Sequence, residues 1–387
     1  MMLGLLLARA GVRVEVLEKH ADFFRDFRGD TVHPSTLQLL HELGWLPEFL
    51  ERPHQKATQV TAVFGDARVR VADLSHLPTE CKFIVLMPQW DFLDFLAQKA
   101  KQYPSFSLRM QAKVTGLLRE GERVVGVQGE GPQGTFATRA DLVVAADGRH
   151  STLRAAAGLK SIDRAAPIDV LWMRIPRKPT DPSQPQGRFA PGNLFVMIMR
   201  GDYWQCALVI PKGGLQQLQA AGLEALKKRL IAIEPLLHDR TQSLRSWDDI
   251  KLLTVTVDRL ERWYQEGLLC IGDSAHAMSP IGGVGINLAV QDAVAAANLL
   301  WKPLREGRLR VSDLAAVQKR RAFPTKIIQA GQVAIQNRFL RRVLGSQAVR
   351  PPWAVRVLER WPFLSRIPAR LIGIGPRPEH VRCPEII

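Results

Sequence analysis

The sequence predicts an α/β fold: a discontinuous domain of helices and parallel strands, an antiparallel sheet inserted into it, and a helical tail. Three observations predict it. The opening stretch MMLGLLLARAGVRVEVLEKH reads as a helix, a tight turn and a strand that ends in an acid. Two apolar strands, LVVAADG and GLLCIGD, each run into an Asp and a Gly. Between them, residues 165–265 are dominated by strand-like runs such as IDVLWMRIP, NLFVMIMR, YWQCALVIP and KLLTVTVDRL.

Taken in order, the first ten residues are apolar and helical, and Gly11 closes the helix because Gly tolerates the left-handed conformation. Val12, Val14 and Val16 alternate with polar residues as a strand does, and Glu18 sits at its end. Helix, turn, strand and acid form the second half of a dinucleotide-binding βαβ unit. Pro34 to Leu43 reads as a helix capped by Ser35 and ended by Gly44. Val60–Phe64 and Arg68–Ala72 form a hairpin about Gly65–Asp66. PQWDFLDFLAQKAKQ, from Pro88, is an amphipathic helix, and residues 107–146 alternate as a meander of strands. One helix, about Gly214 to Ile233, interrupts the strands of the middle segment. A buried strand, GLLCIGD, precedes a long helix from Gly285, and the chain beyond Val311 is helical with breaks at Pro351–Pro352 and Pro376–Pro378.

The chain has 387 residues, 46% hydrophobic and 23% charged, enough for two domains sharing an interface. No apolar stretch reaches the ~18 residues that span a bilayer. A signal peptide fits the N-terminus poorly, because no basic residue precedes the apolar run and Arg9 interrupts it. Cys81, Cys206, Cys270 and Cys383 are scattered and form no CxxC pair, so neither a disulfide framework nor a metal site is expected, and the compartment is the reducing cytoplasm. The net charge of +16 is uneven: Lys302–Ile387 holds 18 Lys and Arg against 5 Asp and Glu, which leaves the rest at +3. Phe339, Trp353, Trp361 and Phe363 lie among those arginines. Basic helices with interfacial aromatics suit an anionic membrane surface, so the chain beyond about 338 is expected to make peripheral membrane contact. The competing expectation is that these helices pack over the domain with their arginines in water. Nucleic acid is not an expected partner, because no reader motif accompanies the charge.

Three stretches carry the chemistry. Glu18, at a strand end, can accept hydrogen bonds from a ribose diol. In LVVAADGRHSTLR a strand empties into Asp147–Gly148 and a short helix, which brings backbone N–H groups near a phosphate. In LLCIGDSAHAMSPIGGVGINLAVQDA the strand ends at Gly272–Asp273, where the carboxylate can accept hydroxyl hydrogen bonds from a polyol chain. Gly282, Gly283 and Gly285 then let a flat ring approach the backbone, and the following helix offers free N–H groups and a partial positive charge. A further match to GxGxxG, GEGPQG at 129–134, lies between two alternating runs with no helix after it, so it reads as a hairpin turn.

With these residues the chain resembles the FAD-dependent monooxygenases of the para-hydroxybenzoate hydroxylase type. ADGRHS resembles that family's DG motif, and GDSAHAMSPIGGVGIN resembles its GD motif, up to about residue 345 in the same order and spacing. The resemblance implies an FAD-binding Rossmann-like domain of the glutathione-reductase type. It would comprise residues 1–75, 107–160 with the DG motif, and 266–345 with the GD motif. Residues 76–106 would form a helical segment beside the flavin, 161–265 an antiparallel-sheet substrate domain, and 346–387 a basic helical tail. It implies that Glu18 meets the adenosine ribose, Arg28 the pyrophosphate and reduced-flavin region, and Gln89 the ribityl chain. Asp147 and Gly148 would be the DG pair, Gly272 and Asp273 the GD pair, and Pro280, Gly283, Val284, Gly285, Ile286 and Asn287 the loop over the ring. It further implies NADH or NADPH as donor and hydroxylation of an aromatic or other lipophilic ring through a flavin hydroperoxide. No catalytic base stands out, since in this family the flavin does the chemistry; His276 reads as a structural member of the motif. LWMRIP lacks the WxWxIP signature of flavin halogenases.

The family opens with a strand and GxGxxG, and Met1 falls where that turn would have just ended. An in-frame extension of about 10–15 residues carrying both is expected upstream of Met1. The alternatives are a reductase or dehydrogenase of the same fold, which inserts no oxygen, and a non-catalytic remnant that binds a membrane surface or a protein.

Overall fold

Helix α1 (Met2–Arg9) is apolar around its circumference, and Met2 through Ala8 are all buried. A helix without a polar face must be enclosed. It lies in the largest core cluster with α4 (Gln89–Ala100) and α8 (Gly285–Arg305), and burying Leu5 and Leu6 contributes about 1.5–3 kcal/mol each. Of this chain the computed structural model describes residues 1–24, 31–65, 67–182, 184–337, 343 and 353–386.

Strand β1 (Val14–Leu17) pairs in parallel with β7 (Phe106–Arg109). β2 (Thr31–Val32) and β3 (Gln55–Ala57) both pair with β6 (Ile84–Leu86), which leads directly into α4. Between them α2 (Pro34–Glu42) starts differently from the expectation. His33 takes the N-cap position with no side-chain cap, and Ser35, expected as the cap, is buried inside the first turn. Pro34 at N1 explains this, since its fixed φ and missing N–H suit the first helical position. After the short α3 (Leu46–Leu50) come the hairpin strands β4 (Gln59–Phe64) and β5 (Ala67–Asp73).

β8 (Lys113–Glu120), β9 (Arg123–Gly131) and β10 (Gly134–Arg139) form an antiparallel sheet, so GEGPQG is a hairpin connection. β11 (Val143–Ala145) returns to the first domain and is followed by α5 (Thr152–Ala156) and β12 (Ser161–Asp163).

The middle segment contributes β13 (Ile168–Pro176), β14 (Gln186–Ala190), β15 (Asn193–Arg200), β16 (Tyr203–Pro211) and β17 (Ile250–Leu253). The sheet is wider than residues 161–265: its order is β17-β13-β16-β15-β14-β4-β5, with β4 parallel to β14. Phe64 and Phe189, opposite each other in that pair, stack with centroids 4.6 Å apart. Alternation sorts the two faces. Leu171, Met173 and Ile175 join one cluster, whereas Ile168, Val170 and Trp172 turn to the other face, where Ile281 packs. The single helix expected at Gly214–Ile233 is two, α6 (Leu215–Ala221) and α7 (Leu223–Ile233). Gly222 breaks it at φ +90°, a conformation glycine alone adopts cheaply. α7 covers the first face with Leu226, Leu230 and Ile233.

β18 (Asp258–Leu260) pairs with β12; β20 (Leu268–Cys270) pairs antiparallel with β19 (Tyr264–Gln265) and parallel with β11. The long helices α8 and α9 (Val311–Ile335) follow, then α10 (Trp353–Arg360) and α11 (Arg366–Gly373). Against the expectation that no apolar stretch is long enough, Ile281–Arg305 is apolar and long enough to cross a bilayer by length and composition, because Asp292 and Asn298 interrupt it only singly; but 67% of its most apolar part is buried in the fold, as in a core helix.

The end of the basic tail is a strap across the first domain. The Ile386 N–H donates to the Arg9 carbonyl at 2.8 Å, and Tyr103 donates to Glu385 at 2.7 Å. Asn298 bonds His380, Arg382 and Cys383, and Glu42 accepts from the Val381 N–H at 2.9 Å. Residues 380–386, which are not helical, thus pack against the domain.

Candidate active site

β11 and β20 run side by side in parallel, with Ala145 opposite Cys270, so Asp147 and Asp273 emerge together at their carboxyl ends. Ligands of open α/β sheets bind there. Asp147 accepts a hydrogen bond from the Leu153 N–H at 3.2 Å, and Ser151 caps α5 by accepting from Arg154 N–H at 3.0 Å. Arg149 donates to Asp273 at 3.5 Å and to the Thr254 carbonyl at 3.2 Å. Arg154 donates to Asp258 at 3.0 Å and to the Arg149 carbonyl at 2.7 Å, while Asp258 accepts from the Ala277 N–H at 3.1 Å. Two arginine–aspartate pairs, Arg149–Asp273 and Arg154–Asp258, therefore tie the DG side to the GD loop.

A fully buried carboxylate lies beneath the GD turn. Asp292 accepts from Gly272 N–H at 3.1 Å, His276 Nε2 at 2.5 Å and Arg321 Nε at 2.9 Å. Burial alone would raise its pKa, but His276 and Arg321 outweigh burial and hold it below the ordinary carboxylate value. Asp292 thereby fixes the Gly272 amide, and through it the position of Asp273, whose side chain is about one-third exposed. His276 is buried, with its ring 4.9 Å from that of Trp263.

The loop from Pro280 is fixed to the other end of the domain. Gly283 has φ +62°, and a Cβ there would lie 2.7 Å from Thr31 Oγ1. Thr31 Oγ1 donates to the Gly283 carbonyl at 3.0 Å. Asn287 accepts from His33 N–H at 3.0 Å and Thr36 Oγ1 at 2.8 Å, and donates to the carbonyls of Thr31 and Gly283. Its side chain is committed to holding the loop against β2 and α2. Gly285 begins α8, a 21-residue helix with no side-chain cap, which leaves first-turn N–H groups for a ligand. Pro280, Val284 and Ile286 carry the backbone between these anchors.

Gln89 is the first residue of α4, three beyond Leu86, which pairs with Thr31. It therefore stands on the same side as the loop. Glu18 directly follows β1 and accepts from the His20 N–H at 2.9 Å. Arg28 lies outside the described residues.

These features fit a flavin dinucleotide: a partly exposed carboxylate at a strand end, left-handed glycines before an uncapped helix, and an acid ending the neighbouring strand. Among the described residues, no three His, Cys, Asp or Glu gather as a metal site.

His33 adds a pH dependence. Its Nδ1 lies 2.7 Å from the Ile372 carbonyl, which can only accept, so Nδ1 carries the proton. Nε2 is buried with no partner among the described residues. Burial lowers its pKa from 6.5 to about 4, against a small raising effect of the Ile372 bond. The unfolded chain therefore binds a proton between pH 6.5 and 4 that the folded chain refuses. Stability is expected to fall across that window by roughly 2–3 kcal/mol, and His33→Gln is expected to flatten the fall. Chemical denaturation of both proteins at pH 7 and 5 checks it; equal pH slopes would exclude His33 as the source.

Sequence reasoning assigned no role to Asp258, Asp292, Arg321, Thr31 or His33. Asp292 alone left a signal, as a lone charge inside the apolar run NLAVQDAVAAANLL.

Residues 1–331 match the protein-family model described as FAD binding domain. The chain is 35% identical to 6-methylpretetramide 4-monooxygenase of Streptomyces rimosus, over 98% of this chain and 91% of that protein. It is 27% identical to rifampicin monooxygenase of Streptomyces venezuelae, over 77% of this chain and 61% of that protein. In fold it is similar to p-nitrophenol 4-monooxygenase of Pseudomonas putida, with TM-score 0.74 and 19% identity over 96% of this chain and 90% of that one. It is likewise similar to anhydrotetracycline hydroxylase of Streptomyces rimosus, with TM-score 0.72 and 23% identity over 96% and 73%.

Proposed function

The chain belongs to the FAD-dependent monooxygenases of the para-hydroxybenzoate hydroxylase type, and from that membership we propose that it hydroxylates an aromatic or other lipophilic ring with NAD(P)H and oxygen. The observation that carries the reading is the paired emergence of Asp147 and Asp273 beside the uncapped amino end of α8. Bound there, FAD supplies the redox chemistry: substrate, O2, NAD(P)H and a proton yield hydroxylated substrate, water and NAD(P)+.

The protein's own part is binding, orientation and water exclusion. On this reading Glu18 holds the adenosine ribose, Gln89 and Asp273 the ribityl chain, and Asp147 with Gly148 the DG side of the dinucleotide. Arg28 would approach the pyrophosphate. The loop from Pro280 to Asn287 would lie against the ring, with Asn287 anchoring the loop. The α8 amino end would favour negative charge on the ring by roughly 0.3–1 kcal/mol, more where buried. The substrate side is apolar: Val170, Trp172, Leu194, Val196 and Ile281 share one cluster between sheet and loop. That roof suits a ring and excludes water. The four cysteines are buried free thiols, which suits a reducing compartment such as the cytoplasm.

The test is mass spectrometry of product from the purified, FAD-loaded protein with NADH or NADPH and a panel of polycyclic phenols. A product one oxygen atom heavier, with the atom drawn from labelled O2, is expected. A reduced product without added oxygen would instead assign a reductase.

A further inference from the structure

Helices α10 and α11 present two apolar stripes to solvent. On α10 and just beyond it, Trp353, Val357 and Trp361 recur every four residues, at 74%, 37% and 52% exposure. Before and along α11, Phe363, Ile367 and Leu371 do the same, at 56%, 60% and 45%. Trp361 and Phe363 meet edge to face at 6.0 Å and join the stripes into one patch. The opposite faces are already satisfied: Val355 packs on the β4–β5 hairpin, and Ala369 and Ile372 pack on Leu74, Leu77 and Ile84. Gly373 lets α11 come close, since a Cβ there would lie 2.6 Å from Leu77.

An exposed arginine precedes four of these six apolar residues: Arg356, Arg360, Arg366 and Arg370. Arg366 reaches His76 at 3.2 Å, and among the described residues none of the four pairs with a carboxylate. Glu359 is the only acid between Trp353 and Gly373.

We propose that this double stripe docks the protein on an anionic lipid surface. The sign of the charge selects the occupant. A second copy seated on the patch by a two-fold axis would bring eight arginines together against two glutamates, whereas anionic headgroups complement the arginines while the tryptophans enter the interfacial layer. The patch also sits near the site. Leu371 and Ile372 line a pocket with Val284, Asn287, Leu288 and Ile328, and the Ile372 carbonyl accepts from His33, whose N–H donates to Asn287. A lipophilic substrate could load from the bilayer; that consequence rests on the proposed hydroxylase reading, whereas docking itself does not.

Sedimentation of the full chain with vesicles tests it. The vesicles are phosphatidylcholine alone or mixed equally with phosphatidylglycerol, at low and high salt. Wild type is expected to prefer the anionic vesicles and to keep part of its binding at high salt. Arg356→Gln/Arg360→Gln/Arg370→Gln is expected to lose anionic preference, roughly fivefold per arginine at low salt. Trp353→Ser/Trp361→Ser is expected to lose the salt-resistant part, about tenfold or more. Circular dichroism confirms that each variant is folded. Equal binding to both vesicle types, or unchanged binding by the folded double variant, overturns the proposal. So does self-association that the double variant abolishes without any vesicle binding, which would assign the patch to a second copy. Hydroxylation assayed in detergent-free buffer separates the readings, because docking can fail while turnover persists.

Discussion

Asp273→Ala is expected to release most of the flavin on dilution. The residue stands in a short helical turn, Gly272–Ser274, set by Gly272 at φ +60° and by the Gly272 amide on Asp292. Its carboxylate meets Arg149 at 3.5 Å with about a third of the side chain in solvent. Pairs of that kind contribute at most about 1 kcal/mol to stability, so the variant keeps its fold. Arg149 retains its bond to the Thr254 carbonyl. On the proposed assignment, what is lost is acceptance of ribityl hydroxyls by a charged group, worth about 1.5–3 kcal/mol per bond, or roughly 10–150-fold in flavin affinity. Asp273→Asn keeps an acceptor without the charge and should fall between. Absorbance of the flavin after gel filtration reads the outcome; full occupancy of the alanine variant under dilution would withdraw Asp273 from the ribityl chain.

Arg321→Ala is expected to be the most destabilising single change. Arg321 is 1% exposed and lies between Asp292 at 2.9 Å and Glu379 at 3.3 Å. Glu379 would keep Arg320, which grips it at 2.6 and 3.1 Å. Asp292 would keep only His276 and one backbone N–H, in a site closed to water. Breaking a buried pair by removing one partner costs about 3–5 kcal/mol, a drop of roughly 4–6 °C in Tm for a chain of this length. The same pair sets an acid limit. Because the folded Asp292 carboxyl lies below its unfolded pKa, its contribution is complete above the unfolded value and is lost as pH falls through the folded one. Arg321→Ala should therefore also flatten the acid arm of the stability curve, and Arg321→Met with Asp292→Leu should recover part of the loss. A loss below about 1 kcal/mol in denaturant unfolding would show the network to be incidental.

Local features were legible in the sequence because they are written in neighbouring residues. The alternation of β13, the closing glycines at 11 and 44, and the strand-end acids Glu18, Asp147 and Asp273 all show within ten residues of themselves. The family resemblance rests on the same short stretches, and the family match extends over residues 1–331. Where local signals compete, the sequence misleads. Ser35 is a good cap, but Pro34 at N1 moves the helix start. Leucines continue through 215–230, but Gly222 divides the helix.

The sequence by itself determined the class of fold, the order of its parts and the two loops that mark the site. Only the tertiary structure decided what holds those loops. Asp292 and Arg321 are 29 residues apart, Arg154 and Asp258 are 104 apart, and Asn287 meets Thr36 across 251. No period or spacing records such pairs, because each depends on which faces of separate elements meet after folding. The same holds for the β4–β5 hairpin, whose β4 joins the middle sheet beside β14, and for the C-terminal strap on Arg9. A hydrogen bond inside an element leaves a trace in the sequence at that element's own repeat. A buried charge pair between elements leaves only a charged residue where an apolar one would do, as Asp292 does in α8.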